Sequence, residues 1–186
     1  MLEQSLKNCL PNTYLTSLLV LGLAVANLAS AASTCAGFIP AVITTPANLI
    51  AAISAANSAT CPGADTIDLA GSSITFTSGG FTYQNELVAL PDVITPLTIT
   101  NGTLLSAGTN FKFLHASNTT LALSNLTIMN GGGAAVATGG AVHAFNTSLT
   151  VLNSSFINNS ASAYGGGAIF QENGPISITG SIFRGN

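Results

Sequence analysis

Hydrophobic residues alternate with small polar ones in short bursts along most of the chain, and the bursts recur in one direction with one order. Ile67–Ile74, Leu97–Leu104, Leu121–Ile128, Leu149–Phe156 and Ile176–Phe183 can be laid over one another at offsets of 30, 24, 28 and 27 residues. Each copy is apolar at its first, third and eighth positions, and Asn or Gly occupies the fifth. A second strip keeps the same register: Leu114-His-Ala-Ser-Asn118, Val142-His-Ala-Phe-Asn146 and Ile169-Phe-Gln-Glu-Asn173. Alternation with period two predicts strands, and a repeat of this length predicts two or three strands per coil. One coil cannot bury its inward side chains, but stacked coils build a continuous core and pair backbone groups with the coils above and below.

Expected interior rows are Ile67, Leu97, Leu121, Leu149 and Ile176; then Leu69, Ile99, Leu123, Val151 and Ile178; then Ile74, Leu104, Ile128, Phe156 and Phe183. Each such side chain, once buried, stabilises by about 1.5–3 kcal/mol before entropy is counted. Asn and Gly tolerate the left-handed backbone that a corner requires. Two columns of turn asparagines are therefore expected, Asn101, Asn125 and Asn153 in one, Asn118, Asn146 and Asn173 in the other, with amides bonded along each. A rival antiparallel sandwich needs hairpins and alternating direction, which a same-direction repeat opposes.

Before the repeat, the periodicity is helical. Thr45 suits an N-cap, Pro46 the first helical position, and Leu49, Ile50, Ile53 and Ala56 share a face, so a helix over 46–57 is expected. Earlier still, Lys7, the apolar Leu15–Ala26 run and Ala29-Ser30-Ala31 read as a secretory signal over 1–31. The run is too short to span ~30 Å of hydrocarbon, which takes about 20 residues. Region 32–63 is then the N-terminal cap and 64–186 the coils. Cleavage removes Cys9 and leaves Cys35 and Cys61, an even count that suggests a disulfide in an exported chain. It would stabilise by roughly 3.5 kcal/mol on the chain-entropy account.

Composition narrows the function. Charged residues are 5% of the 186, with three basic, six acidic and a net charge of −3. That opposes nucleic-acid binding, which needs clustered Lys and Arg. Catalytic candidates are sparse. Asp65 and Asp68 fall on opposite faces of a strand, with Asp65 expected to cap a turn and Asp68 to face water. Glu86 and Asp92 lie in a stretch that reads as a solvated loop. His115 and His143 occupy equivalent positions, and two imidazoles can ligate a metal, but Phe170 takes the next place. They read as a stacked, solvent-facing pair, and no catalytic, metal or cofactor residue is assigned. Six Asn-x-Ser/Thr sequons occur, at Asn101, Asn118, Asn125, Asn146, Asn153 and Asn158; in a bacterium they reflect turn asparagines beside Ser and Thr, in a eukaryote some would carry glycans.

Gly139-Gly140-Ala-Val and Gly166-Gly167-Ala-Ile, with Phe156-x-x-Asn159 and Phe183-x-x-Asn186, lie 27 residues apart. They resemble the repeats of polymorphic outer membrane proteins. Leu49-Ile-Ala-Ala-Ile53, Ala55-Ala-Asn57 and Gly63-Ala-Asp-Thr-Ile67 resemble the N-terminal Leu-Arg-Glu-Ala-Ile module that precedes such repeats, with Ile50 and Ala51 in place of its Arg and Glu. The resemblance covers roughly residues 45–186. It implies an all-β, right-handed parallel β-helix of pectate-lyase-like type with a short capping helix. It also implies export to a bacterial cell surface or outer membrane, and a non-catalytic adhesin or autotransporter-like passenger whose partners are surface glycans or proteins. The alternatives are the N-terminal part of a carbohydrate-active lyase or hydrolase, and a purely structural stalk. Relatives continue to a barrel or anchor, so membrane attachment would come from sequence beyond this chain. The chain stops at Asn186, one strand into a coil, which reads as a fragment with an open edge for self-association. N-terminal sequencing of the secreted product should begin at Ala32, and its mass without reductant should be two hydrogens short of the free dithiol.

Overall fold

A computed structural model describes residues 42–58 and 63–186. The signal segment, Cys35 and Cys61 lie outside the described residues.

The chain is a parallel β-helix fronted by one helix among the described residues. Strands β1 (Asp65–Asp68), β5 (Leu97–Ser106), β8 (Thr120–Met129), β10 (Ser148–Leu152) and β13 (Ile176–Thr179) stack in that order, all parallel. Past a corner, β2 (Ser73–Phe76) pairs with the far half of β5, while β11 (Ser155–Ile157) pairs with β8 and with β14 (Ile182–Arg184). A second wall is β7 (Leu114–Ser117), β9 (Val142–Phe145) and β12 (Ile169–Glu172). A third is β3 (Phe81–Tyr83), β4 (Glu86–Val88) and β6 (Phe111–Lys112).

Registration sets like on like. Leu97, Leu121, Leu149 and Ile176 are successive partners, as are Ile99, Leu123, Val151 and Ile178. Leu97, Leu121 and Leu149 are buried, and Ile99, Leu123 and Val151 wholly so. Ile176, Ile178 and Phe183 keep their register but are 43%, 46% and 43% exposed, because no described rung lies above them.

The first coil departs from expectation. Ile67 pairs with Ile99, not Leu97, and Asp65 takes the place opposite Leu97. Ile74 nevertheless pairs with Leu104. The corner Leu69–Ser72 therefore holds two residues more than Asn101–Gly102. Leu69 turns inward over that corner, and Gly102 makes the room: a Cβ there would stand 2.6 Å from Leu69 Cβ. Asp65 is buried in the interior row.

Corners are held by amides and hydroxyls. Asn101, Asn118, Asn125, Asn146, Asn153 and Asn173 all have φ between 47° and 58°. Asn125 Nδ2 donates to Asn101 Oδ1 at 3.2 Å, and Asn101 Nδ2 donates to Asp68 Oδ1 at 3.1 Å. Asp68 thus stands at the head of the column. Asn146 Nδ2 donates to Asn118 Oδ1 at 3.2 Å in the second column. Ser154 Oγ accepts from Leu126 N–H one coil below, and Ser181 Oγ accepts from Ser154 N–H.

The Phe-x-x-Asn motif works inside. Phe156 and Phe183 stack with centroids 4.9 Å apart and planes 2° from parallel. Asn159 is fully buried; its amide donates to Ile128 O and Asn186 Oδ1, and its oxygen accepts from Gly131 N–H. Gly139 and Gly166 have φ of 54° and 67°, and a Cβ on either would collide with the carbonyl three residues on.

Helix α1 (Pro46–Ala56) closes the first coil. Thr45 Oγ1 accepts from Asn48 N–H at 3.2 Å, capping the N-terminus. Leu49, Ala52, Ile53 and Ala56 join the solenoid core, and Ile50 packs half-buried at its edge. Asn57 fixes the other end by donating to Asp92 O at 2.7 Å and accepting from Ile94 N–H.

Replacing Asn125 separates the two parts of a corner. Asn125→Gly keeps the backbone angle and loses the amide bond, at a cost of about 1 kcal/mol. Asn125→Ala also lacks the side-chain amide that lets asparagine adopt left-handed backbone, so its stability should fall further, by about another 1 kcal/mol.

Candidate functional site

Polar chemistry gathers on the outer face of the β7–β9–β12 wall. Leu114 and Ala116, like Val142 and Ala144, point into the core, so His115 and His143 between them point out. Val93 bridges Ala116 in parallel, which places Asp92 one rung below His115. Asp92, His115, His143 and Phe170 therefore form one column. His115 and His143 are the T-shaped pair at its centre, 5.1 Å apart, and Phe170 lies 5.1 Å beyond.

The column is not open to water, contrary to the expectation from sequence. His115 and His143 are each 1% exposed. The cover is the antiparallel hairpin β3–β4, which the same-direction repeat gave no reason to expect. Tyr83 stacks on His115 with centroids 3.3 Å apart and meets His143 edge-on at 5.6 Å. The hairpin turns at Gln84 and Asn85, both at positive φ, a two-residue turn of the kind favoured by strand twist. Its signal in the sequence was weak because Gln stands where Asn or Gly is usual.

Beside the column lies a buried ion pair. Lys112 is fully buried, and its ammonium contacts Glu86 and donates to Thr138 O at 2.7 Å and Thr138 Oγ1 at 3.1 Å. Ala137 N–H donates to the same Glu86 carboxylate. Glu86 is thus no loop carboxylate, and it links the hairpin to the segment before β9. Burial pushes the Glu86 carboxyl up, but the bonds from Lys112 and Ala137 N–H outweigh that and hold it below its ordinary range. Burial lowers Lys112, against the opposing pull of Glu86.

Asp92 is likewise engaged. Its carboxylate lies 2.6 Å from His115 Nδ1 and accepts from Ser117 Oγ at 2.8 Å. The serine hydroxyl points at the carboxylate and not at the imidazole, so these three groups do not form a nucleophile relay. His143 Nδ1 lies 3.3 Å from Thr138 Oγ1, and its Nε2 lies 3.6 Å from Glu172 Oε2. Burial first, and then the Lys112 charge, lower the His143 pKa to about 4. Burial, with Asp92 and Glu172 nearby, raises the Tyr83 hydroxyl. Among the described residues, no group of three or more His, Cys, Asp or Glu is placed to hold a metal ion. No helix among them is long and apolar enough to cross a membrane.

A second outward surface is built differently. On the β1–β5–β8–β10–β13 wall one column reads Thr66, Thr98, Ala122, Thr150 and Ser177. The next reads Asp68, Thr100, Ser124, Leu152 and Thr179. These side chains are exposed or half-exposed, and Ser124 Oγ donates to Thr100 Oγ1 at 2.8 Å. Of these positions only Asp68 is charged. No protein-family model, curated protein or solved structure matches the chain.

Breaking the buried pair on one side should be costly. Lys112→Met leaves the Glu86 carboxylate buried without its cation and should destabilise by about 3–5 kcal/mol. Adding Glu86→Leu should recover most of that loss, read as denaturation midpoints of the single and double variants.

Proposed function

We propose that the protein is a non-catalytic, exported β-helix of a cell surface or outer membrane, an adhesin-type passenger that binds uncharged glycans. The observation that carries this reading is the hydroxyl-lined wall formed by Thr66, Thr98, Thr150 and Ser177 beside Thr100, Ser124 and Thr179. Rungs follow one another at about 4.8 Å. A neutral sugar chain laid across them meets a hydroxyl on most rungs, with Ala122 and Leu152 as the apolar exceptions. Hydroxyls both donate and accept, and they suit a polymer whose own groups do the same. Each contact is weak, so affinity comes from repetition along the stack. Four titratable groups support the same reading: Glu86 of the hairpin is paired with Lys112, and Asp92 with His115. The resemblance to polymorphic outer membrane protein repeats supports the address.

The test is a glycan array and polysaccharide co-sedimentation with the secreted chain. Neutral polysaccharide should be retained, and Thr66→Glu with Thr150→Glu, both at exposed positions, should weaken retention at least tenfold with little change in the melting temperature. Absence of binding to any glycan would sink the reading, and release of shortened sugars would replace it with the enzyme alternative.

A further inference from the structure

We propose that the β3–β4 hairpin is an acid-released clasp, in which protonation of His143 detaches the Tyr83 end while the stacked coils stay folded. The hairpin is the least anchored part of the wall. It joins the coils through a two-residue register, Leu87 with Phe111 and Val88 with Lys112, whereas β5 and β8 pair over nearly their whole length. Beyond that it is held by side chains at two points: Glu86 from β4, which meets Lys112, Ala137 N–H and Thr138, and Tyr83 from β3 on the histidine column.

The second contact requires a neutral imidazole at position 143. The groups that face that ring can be named from every side. On β7 stands His115, T-shaped at 5.1 Å, itself against the Asp92 carboxylate. On β12 stand Phe170, at 5.1 Å, and Glu172, whose carboxylate is 3.6 Å from Nε2 but nearly half-exposed. From the hairpin come Tyr83 and, behind Thr138, Glu86. From β6 comes the Lys112 ammonium, 3.1 Å from the same Thr138 hydroxyl that faces His143 Nδ1. A proton on His143 sets a second cation beside Lys112, in a site closed to water by the Tyr83 ring. Glu86 and Asp92 offset this only in part, and the closed state takes that proton only near pH 4.

Opening the Tyr83 end lets water reach the ring, and the imidazole returns toward its ordinary value of about 6.5. The sign follows. The open state binds more protons between about pH 6.5 and 4, so closure is complete above that window and is lost as pH falls through it. At pH 5 the open-to-closed ratio should be about 20-fold higher than at pH 7. Glu86, held below its ordinary range, keeps its charge through most of the window, so the β4 side stays tied to Lys112. The two strands of one hairpin therefore respond differently to acid, and this inference stands apart from the glycan reading.

Amide hydrogen exchange on the full chain tests it, with rates corrected for their intrinsic pH dependence. Between pH 7 and pH 5 the protection of residues 81–85 should fall about 20-fold, while β8 and β10 stay unchanged. His143→Phe, which continues the ring column of Phe170 without a titrating group, should abolish the fall. Constant protection of 81–85, equal loss in β8 and β10, or an unaltered response in His143→Phe would each overturn the clasp. Should His143→Phe not fold, an NMR pH titration of the unaltered chain decides: Tyr83 ring signals that lose their shifts from the histidine rings as His143 takes its proton support the clasp, and Tyr83 signals that stay fixed while it does so overturn it.

Discussion

Parallel backbone pairing between successive coils is the constraint on which everything else depends. Every rung must present its amides and carbonyls at the height of the next, so strand residues of neighbouring coils face one another one for one. β5 and β8 do so from Leu97–Leu121 through Leu105–Met129. Once that register is fixed, side-chain identity follows from alternation. Inward positions meet inward positions, and the stack fills with Leu, Ile and Val in columns. Insertions are confined to corners and connections. The two extra residues at Leu69–Ser72 and the β3–β4 hairpin both leave the rungs above and below them in step.

Corners solve a second problem. A chain that turns between two strands leaves N–H and C=O groups without ladder partners, and each is costly if left buried. Here the corner residue adopts left-handed backbone and its amide bonds the coil next to it. Ser154 and Ser181 serve the adjoining amides in the same way, each hydroxyl also donating to a carbonyl two residues back. Asp68 replaces asparagine at the first coil and needs only accept, since no described rung lies below it to receive a proton. The ends of the stack differ for the same reason. At the first coil α1 covers the core with Leu49, Ala52, Ile53 and Ala56. At the last described coil Ile176, Ile178 and Phe183 line an open concavity of about 470 Å³ with Ile169 and Ala168.

The stacking was legible in the sequence because it is repeated: five copies of one pattern reinforce one another, and Asn or Gly at the turn has one strong physical reason. The helix was legible from Thr45-Pro46 and its apolar face. The register of the first coil was not, since Ile67-Asp-Leu and Asp65-Thr-Ile offer the same alternation and only the room above Gly102 decides between them. Nor was the polar site. Nothing in Phe81–Val88 repeats, and a hairpin that runs against the coil direction has no counterpart to align with. Without it His115, His143 and Glu86 read as exposed groups, and their burial depends on a cover that the periodic pattern does not encode.

That separation has a physical logic. The interior of the stack is filled by columns of like side chains, and a group that needs a unique partner fits poorly in a column. A one-off interaction is therefore placed where the chain leaves the repeat, outside the rungs and under a segment of its own. Glu86 and Lys112 meet there, one from the hairpin and one from the coil, with Thr138 and Ala137 completing their bonds. The outward wall of Thr and Ser follows the opposite rule. Most positions there repeat Thr or Ser and are neutral, Asp68 being the one charge, and neighbours bond one another, as Ser124 does Thr100. Thr is also β-branched and suits a strand, so one residue type serves the backbone and the surface together. A chain with 5% charged residues can thus hydrate a long face with Asp68 as its one ion, and it places the Glu86–Lys112 pair at the contact that holds the hairpin.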